Sequence, residues 1–401
     1  MSSNIQDGKA RQGSNSHIVE TNVVYPHTKS GSLNLETSSN IVLHRAAKSS
    51  LLNPTSQPAS TFSGFTDVRL VSTEPIRDIT LSLEFTTSSA TAIKLDSDMV
   101  LDAINYIEIL SENGSLAVSR IEGDHLKLGL AQAPSIGAFR AALQGIQGGV
   151  EGDGVEVSTD ASFTSYVPIF KNLLSEHEIF GGGLNAPMTI RVWWASGCDL
   201  SVAGVELGTL VLGHWQYDAS IRQKLMNNYL TGPPLAFRYA APRFQTTQET
   251  ITPGARHVVR LSAVNGLITS IVASVKISGV ATKLEKLDMM DSSNQSIIGG
   301  SPLDFSYVNS VVRADENRVW PSSAQAFESE SWFHIPISSD TAAHESFGSI
   351  WGYVIMNGFH SVALYLPTTA TNTAETCEVT FLYSSMSLFN VNKGQTSVQN
   401  S

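Results

Sequence analysis

The densest titratable cluster in the chain is Glu176-His177-Glu178. Two carboxylates flanking an imidazole are the ingredients of a metal site or an acid–base pair. The three are adjacent, however, and lack the HExxH spacing that sets two histidines on one helix face, so a solvated loop is the better reading. Asp96-Ser97-Asp98 with Asp102 resembles a calcium loop but lacks the glycine of the sharp turn and the closing bidentate glutamate. Glu151-Gly152-Asp153-Gly154 has the oxygens to hold a cation in a surface turn, but a plain turn is the better reading. Gly181-Gly182-Gly183 follows Phe180 with no Lys-Ser/Thr and no helix after it, which makes a bend between strands, not a phosphate cradle. His44, His257 and His334 sit in strand-like runs and read as hydrogen-bonded interior or edge histidines. Trp193-Trp194 and Trp351 read as core anchors before they read as a sugar platform. There is no Gly-x-Ser-x-Gly elbow and no His-x-His pair of cupin type. No catalytic, cofactor-binding or metal-ligating residue is assigned, and no cofactor is expected.

The elements that would carry these residues are mostly strands. From about residue 38 to 215 the pattern is short period-2 runs split by turn residues, beginning at Asn40-Ile41-Val42-Leu43-His44. Ile104–Leu110 and Leu116–Ile121 flank Asn113-Gly114, the strongest short-range hairpin signal, because both central residues of the turn need positive φ. Met188–Trp194 and Gly208–Leu212 supply further strands. Ser135–Leu143 breaks the pattern and reads as a short helix in a long loop. A second helix is better marked: Asp218 caps it, Ile221, Leu225 and Tyr229 share a face, and Gly232-Pro233-Pro234 stops it. From about 235 the strand pattern resumes, with a second hairpin expected at Asn357-Gly358 between Gly352–Met356 and Val362–Leu366. Residues 1 to about 37 are polar and Ser/Asn-rich, and the end of the chain reads as a polar tail.

The same features recur about 180 residues apart. Asp67-Val68-Arg69-Leu70 leads into Ile79–Phe85, as His257–Leu261 leads into Ile271–Ile277. Ile107–Gly114 answers to Leu287–Asn294, and Tyr166-Val167-Pro168-Ile169 to His334-Ile335-Pro336-Ile337. The two cysteines close the series in Cys198–Val202 and Cys377–Phe381. Identity is low, so the order of features carries the duplication. The division that follows is an arm at 1–37, one unit at 38–217, a linker helix and turn at 218–234, a second unit at 235–393 and a tail at 394–401. Two all-β units of this size suit Greek-key sandwiches.

Composition narrows the function. Charged residues are 15%, well below the roughly 25% of an ordinary soluble domain. A surface rich in Ser, Thr, Asn and Gly suits a protein whose faces meet other subunits, since a hydroxyl is cheaper to desolvate than a charge. The net charge of −11 argues against gripping phosphates, so no sequence-specific nucleic-acid binding is expected. Two cysteines are no disulfide framework and read as small buried hydrophobes. No apolar run is long enough to span a membrane, and Met1-Ser2-Ser3-Asn4 lacks the build of a secretory signal, so a cytoplasmic origin is expected.

The ordered features resemble the double jelly-roll major capsid proteins of tailless icosahedral viruses, the lineage of tectiviruses, corticoviruses and the adenovirus hexon. Ile104–Leu110 with Asn113-Gly114 and then Ile121-Glu122-Gly123-Asp124 is similar to a segment of that family's first roll. Tyr166–Phe170 ahead of Met188–Trp194 is similar to its Pro-containing approach to the later strands. In the second half, Leu287–Ile298, Phe333–Ile337, Gly348 and Val362–Leu366 follow the matching spacing. No tower-like insertion of hexon type is present, which leaves 122–165 and 299–330 for modest surface decoration.

The resemblance implies an all-β fold of two consecutive eight-stranded jelly-roll β-sandwiches with a short inter-domain helix. It implies a homotrimer of near-hexagonal outline that tiles an icosahedral virion shell, assembled in the host cytoplasm, without catalysis. Its implied partners are neighbouring capsid trimers, minor capsid or penton proteins, and an internal lipid membrane touched by the N-terminal arm. Besides another viral structural role, such as a spike or a minor capsid protein, two other readings stay open at this point. One is a two-domain β-sandwich carbohydrate-binding protein or adhesin; the other is an enzyme on a double roll, such as a glycan-cleaving amidase or a cupin-like oxygenase.

Overall fold

The structure is a computed structural model that describes residues 46–52, 64–70, 75–86, 93–95, 104–126, 155–157, 162–169, 172–177, 179–195, 204–216, 219–297, 301–305, 332–335, 354–368 and 373–400. The first eleven strands are β1 (Ala46–Leu52), β2 (Phe65–Leu70), β3 (Pro75–Thr86), β4 (Ile93–Leu95), β5 (Ile104–Ser111), β6 (Leu116–Glu122), β7 (Val155–Val157), β8 (Ser162–Ile169), β9 (Ile179–Phe180), β10 (Met188–Trp194) and β11 (Gly204–Gln216). Helix α1 (Leu173–Glu176) precedes β9, and helix α2 (Ala219–Thr231) follows β11. The strands form two sheets in the orders β1-β11-β3-β8 and β2-β10-β5-β6, with β9 added to β3 and a separate β4-β7 pair. Counting the eight principal strands in chain order, the sheets read 1-8-3-6 and 2-7-4-5.

The second set comprises β12 (Leu235–Ile251), β13 (Arg256–Arg260), β14 (Asn265–Ile277), β15 (Val280–Thr282), β16 (Lys286–Met290), β17 (Leu303–Asp304), β18 (Phe333–Ile335), β19 (Val354–Asn357), β20 (Ser361–Tyr365), β21 (Glu375–Asn392) and β22 (Gln395–Asn400). Here β12-β21-β14 carries β18, and β13-β20-β16-β17 faces it. Counted the same way, the orders are again 1-8-3-6 and 2-7-4-5. The paired motifs of the sequence fall on equivalent strands: β2 with β13, β3 with β14, β5 with β16, β8 with β18. The β3–β8 and β14–β18 registers differ by two residues. Leu81 faces Val167 in the first unit, whereas Ile271, the residue matched to Ile79, faces Ile335 in the second. A shift of two keeps the same side chains inward, so the packing tolerates it.

Alternation builds each core. On β2, Val68 and Leu70 point inward and Arg69 outward; on β10, Met188, Ile190, Val192 and Trp194 are buried. The two longest strands do something else. β12 and β21 pair from Leu235↔Val391 to Ile251↔Glu375, a ribbon about 58 Å long at roughly 3.4 Å per residue. One end supplies Leu235, Phe237, Tyr239, Phe389 and Val391 to the first core. The other end supplies Ile251, Cys377, Val379 and Phe381 to the second. One ribbon therefore seals both sandwiches.

Several expectations meet a different outcome. Asn113-Gly114 does join the hairpin β5–β6, but through a wider turn in which Glu112, Asn113 and Gly114 all have positive φ, at 50°, 56° and 87°. Asn357-Gly358 makes no hairpin, because β19 pairs with β14 in one sheet while β20 pairs with β13 and β16 in the other. Gly358 turns the chain between layers, its N–H donating to the Val264 carbonyl at 3.2 Å. The segment 394–401, read as a polar tail, contains β22 instead, paired with β21 from Asn392↔Gln395 to Ser387↔Asn400. Asn40–His44 and Ser135–Leu143 lie outside the described residues, as do Asp218 and most of the segments read as surface decoration.

Candidate functional site

Among the described residues no three His, Cys, Asp or Glu side chains group as metal ligands, and no helix is long and apolar enough to cross a membrane. His177 corrects the solvated-loop reading. It is buried, its Nε2 hydrogen-bonds the Arg238 carbonyl of β12, and its ring meets the edge of Phe237 with centroids 5.7 Å apart. Glu178, Asp96-Ser97-Asp98, Asp102, Glu151–Gly154, His44, Trp351 and Cys198 lie outside the described residues. His257 Nε2 stands 3.1 Å from Glu249 Oε2, at an edge, and His334 pairs with Val272 in the β14–β18 ladder. Cys377 is fully buried in the second core, and burial, with Glu375 adding to it, pushes its thiol pKa up. A buried, protonated thiol is inert.

Gly181–Gly183 forms a single 3-10 turn. It is a bearing surface: a Cβ on Gly183 would stand 2.5 Å from the Cβ of Tyr229 on α2. The Tyr229 hydroxyl accepts the Phe180 N–H at 3.2 Å. Tyr229, Phe180, Phe237 and Phe389 form a chain of rings from the first unit into the long ribbon, with centroid separations of 5.8 Å for Phe180–Tyr229 and 6.4 Å for each of the other two contacts. Fully buried aromatic side chains of this kind contribute about 2–3 kcal/mol each.

Trp194 is a core anchor as expected, buried with Nε1 donating to Thr66 Oγ1 at 2.9 Å. Trp193 lies on the outer face of the same sheet, in a ladder. Phe65 tilts against it at 4.9 Å and Tyr106 stacks on it at 5.4 Å. Arg191 covers Phe65 at 4.1 Å and is held by two bonds to Asp67, at 2.7 and 2.9 Å, which raise its pKa. Arg120 covers Tyr106 at 3.8 Å and lies 5.7 Å from the Phe244 ring on β12. Trp193 Nε1 donates to Glu108 Oε2 at 2.7 Å. A sugar platform needs an open aromatic face, and each ring of this ladder is capped by its neighbour or by a guanidinium. The same crowding raises two pKa values. Burial lifts Tyr106, helped by Glu108, and burial lifts Glu122 against the pull of Arg120.

Among the described residues the seam between the two units carries, besides the apolar contacts and the His177–Arg238 bond, three further polar clamps. Tyr239 on β12 donates to the Val118 carbonyl on β6 at 2.5 Å. The tip of the β21–β22 hairpin is held on two sides: Gly394 N–H donates to the Tyr229 carbonyl at 3.0 Å, and Asn185 N–H donates to the Gly394 carbonyl at 2.9 Å. Asn185 Nδ2 also donates to the Lys393 carbonyl at 3.1 Å. Farther along, Glu112 Oε1 accepts both the Thr396 N–H at 2.7 Å and its hydroxyl at 2.8 Å.

No family model and no curated protein sequence matches this chain. Solved structures do. VP54 of PBCV-1, in a crystal structure fitted into a reconstruction of the virophage Sputnik, shares 12% identity with a TM-score of 0.64, covering 89% of this chain and 97% of its own. A quasi-atomic model of the PBCV-1 virus capsid gives 13%, 0.63 and the same coverage. The Faustovirus major capsid protein gives 8%, 0.61, 87% and 91%. Coverage on this scale takes in both units at once. The chain is a double jelly roll.

At such identities the likeness is one of fold. In this double jelly roll, β12, β21 and β22 of the second roll complete the first along the seam. The seam contacts hold the two lobes together. Sequence reasoning missed Glu112, Asn185, Tyr239 and Thr396 because contacts between distant segments leave no local pattern. One signal was available: Lys393-Gly394 directly follows a long alternating run, which marks a two-residue hairpin turn.

Proposed function

We propose that this chain is a major capsid protein, forming pseudo-hexameric homotrimers that tile an icosahedral virion shell, with no catalysis. The observation that carries this reading is the same strand order built twice on one shared ribbon, in a fold like that of the PBCV-1 and Faustovirus capsid structures. Two similar lobes fixed in one body, repeated about a three-fold axis, give six similar lobes, and such a brick closes a shell by repeating one interface. The work of this protein is then interface energy, spread over contacts of at least about 1,000 Å² each, and not chemistry at a site. The low content of charge suits surfaces that are desolvated on assembly.

In this reading 38–217 and 235–393 are the two rolls, 218–234 joins them, and 394–401 belongs functionally to the seam. The arm at 1–37 ties neighbouring trimers, minor or penton proteins or an internal membrane, within a virion assembled in the host cytoplasm. The test is the solution mass by light scattering near neutral pH. A species of about three times 43.1 kDa, or a closed shell, is expected. A stable monomer at all concentrations would overturn the reading, and glycan arrays would then test the carbohydrate-binding alternative.

A further inference from the structure

We propose that β22 and the Lys393-Gly394 turn before it form a latch, separable from both cores, that fixes the first roll on the second, and that Glu112 is its catch. The inference does not depend on the capsid reading. It starts from what β22 lacks. Its residues alternate between exposed and half-exposed, and only Val398 packs against a core. Hydrophobic burial therefore does little to keep it in place. Within the second roll its position is set by the ladder to β21 and by Asn400, whose Oδ1 accepts from Arg243 and Ser387; against the first roll it is set by polar clamps at two points, the tip and Thr396.

Each clamp is built from backbone in the left-handed region. At the tip, Lys393 and Gly394 have φ of 51° and 77°, a two-residue turn whose twist suits a hairpin. A Cβ on Gly394 would stand 2.4 Å from Asn185 Oδ1, so the tip is seated without clearance. At the catch, Glu112 is a non-glycine residue at φ 50°, a conformation that persists only when its surroundings impose it. What surrounds it is the hairpin: its carboxylate takes both Thr396 donors, and Ser111 Oγ lies 2.5 Å from Thr396 Oγ1. Catch and hairpin hold each other in place. The ribbon transmits the effect, because β22 pairs with the stretch of β21 that carries Phe389 and Val391 into the first core.

The test is hydrogen exchange by mass spectrometry on the full chain, comparing Glu112→Ala and Gly394→Ala with Gln248→Ala, a control at the far end of the ribbon. In both latch variants, amides of 393–400 should exchange at least about tenfold faster, with smaller increases at 387–392, while β10 and β14 keep their native protection. Glu112→Gln, which retains an acceptor, should restore most of the protection. Native protection of 393–400 in both variants would overturn the proposal. So would loss of protection across β10 and β14 together with the hairpin, since the hairpin would then be integral core and not a latch.

Discussion

At the scale of single residues, this protein spends its unusual side chains on fit. Gly183 is the clearest case, a glycine demanded by the closeness of Tyr229 and not by a turn. Gly183→Ala should lower stability by about 1–3 kcal/mol, the usual cost of overpacking, read as a drop in thermal midpoint. Glu122 makes a different prediction. Burial raises its folded-state pKa above the ordinary carboxylate value. Between those two values the folded chain binds more protons than the unfolded one, so this residue's contribution is complete at lower pH and is lost as pH rises through the folded pKa. Urea midpoints measured across the acid range should show that decline in the native protein and less of it in Glu122→Gln.

At the scale of elements, helix α2 and the β12–β21 ribbon decide whether there are two bodies or one. α2 is stopped where the sequence says, at Gly232, whose N–H reaches back to the carbonyls of Asn227 and Asn228 at 3.1 and 3.2 Å. Its Leu225 and Tyr229 are buried in the first core beside Leu235 and Phe237 of the second roll. Leu225→Asp would place an unpaired carboxylate in that core, at a cost of several kcal/mol. Soluble yield should collapse or the thermal midpoint fall by many degrees; a normally folding variant would show that α2 carries no core. The outward ladder from Phe65 to Arg120 and Phe244 crosses the same seam on the solvent side. The rolls are thus joined on inner and outer surfaces.

At the scale of the whole molecule, one strand order built twice on a shared ribbon is the plan. Two sandwiches with the same 1-8-3-6 and 2-7-4-5 orders need not share sequence, because a Greek-key layer demands only inward apolar side chains at period two. They do need a fixed mutual orientation if identical copies are to meet in one geometry. The solution mass tests that consequence for the proposed trimer, while exchange at the hairpin tests the seam itself. A monomer with an intact latch would separate the two ideas.

The sequence by itself determined the all-β class, the duplicated order of strands, the β5–β6 hairpin, α2 and the apolar burial of Trp194 and Cys377. Apart from the duplicated order, which rests on comparing two halves about 180 residues apart, each of these rests on patterns within about twenty residues, where alternation, turn residues and capping act directly on the backbone. Tertiary structure alone decided that Asn357-Gly358 crosses between sheets, that His177 is buried on the Arg238 carbonyl, and that the polar terminus is a strand held by Glu112. The reason is range. An Asn-Gly pair supplies positive φ whether the next strand lies beside the last one or across the core, and Thr396 meets Glu112 only because the long ribbon brings the end of one roll onto the turn of the other.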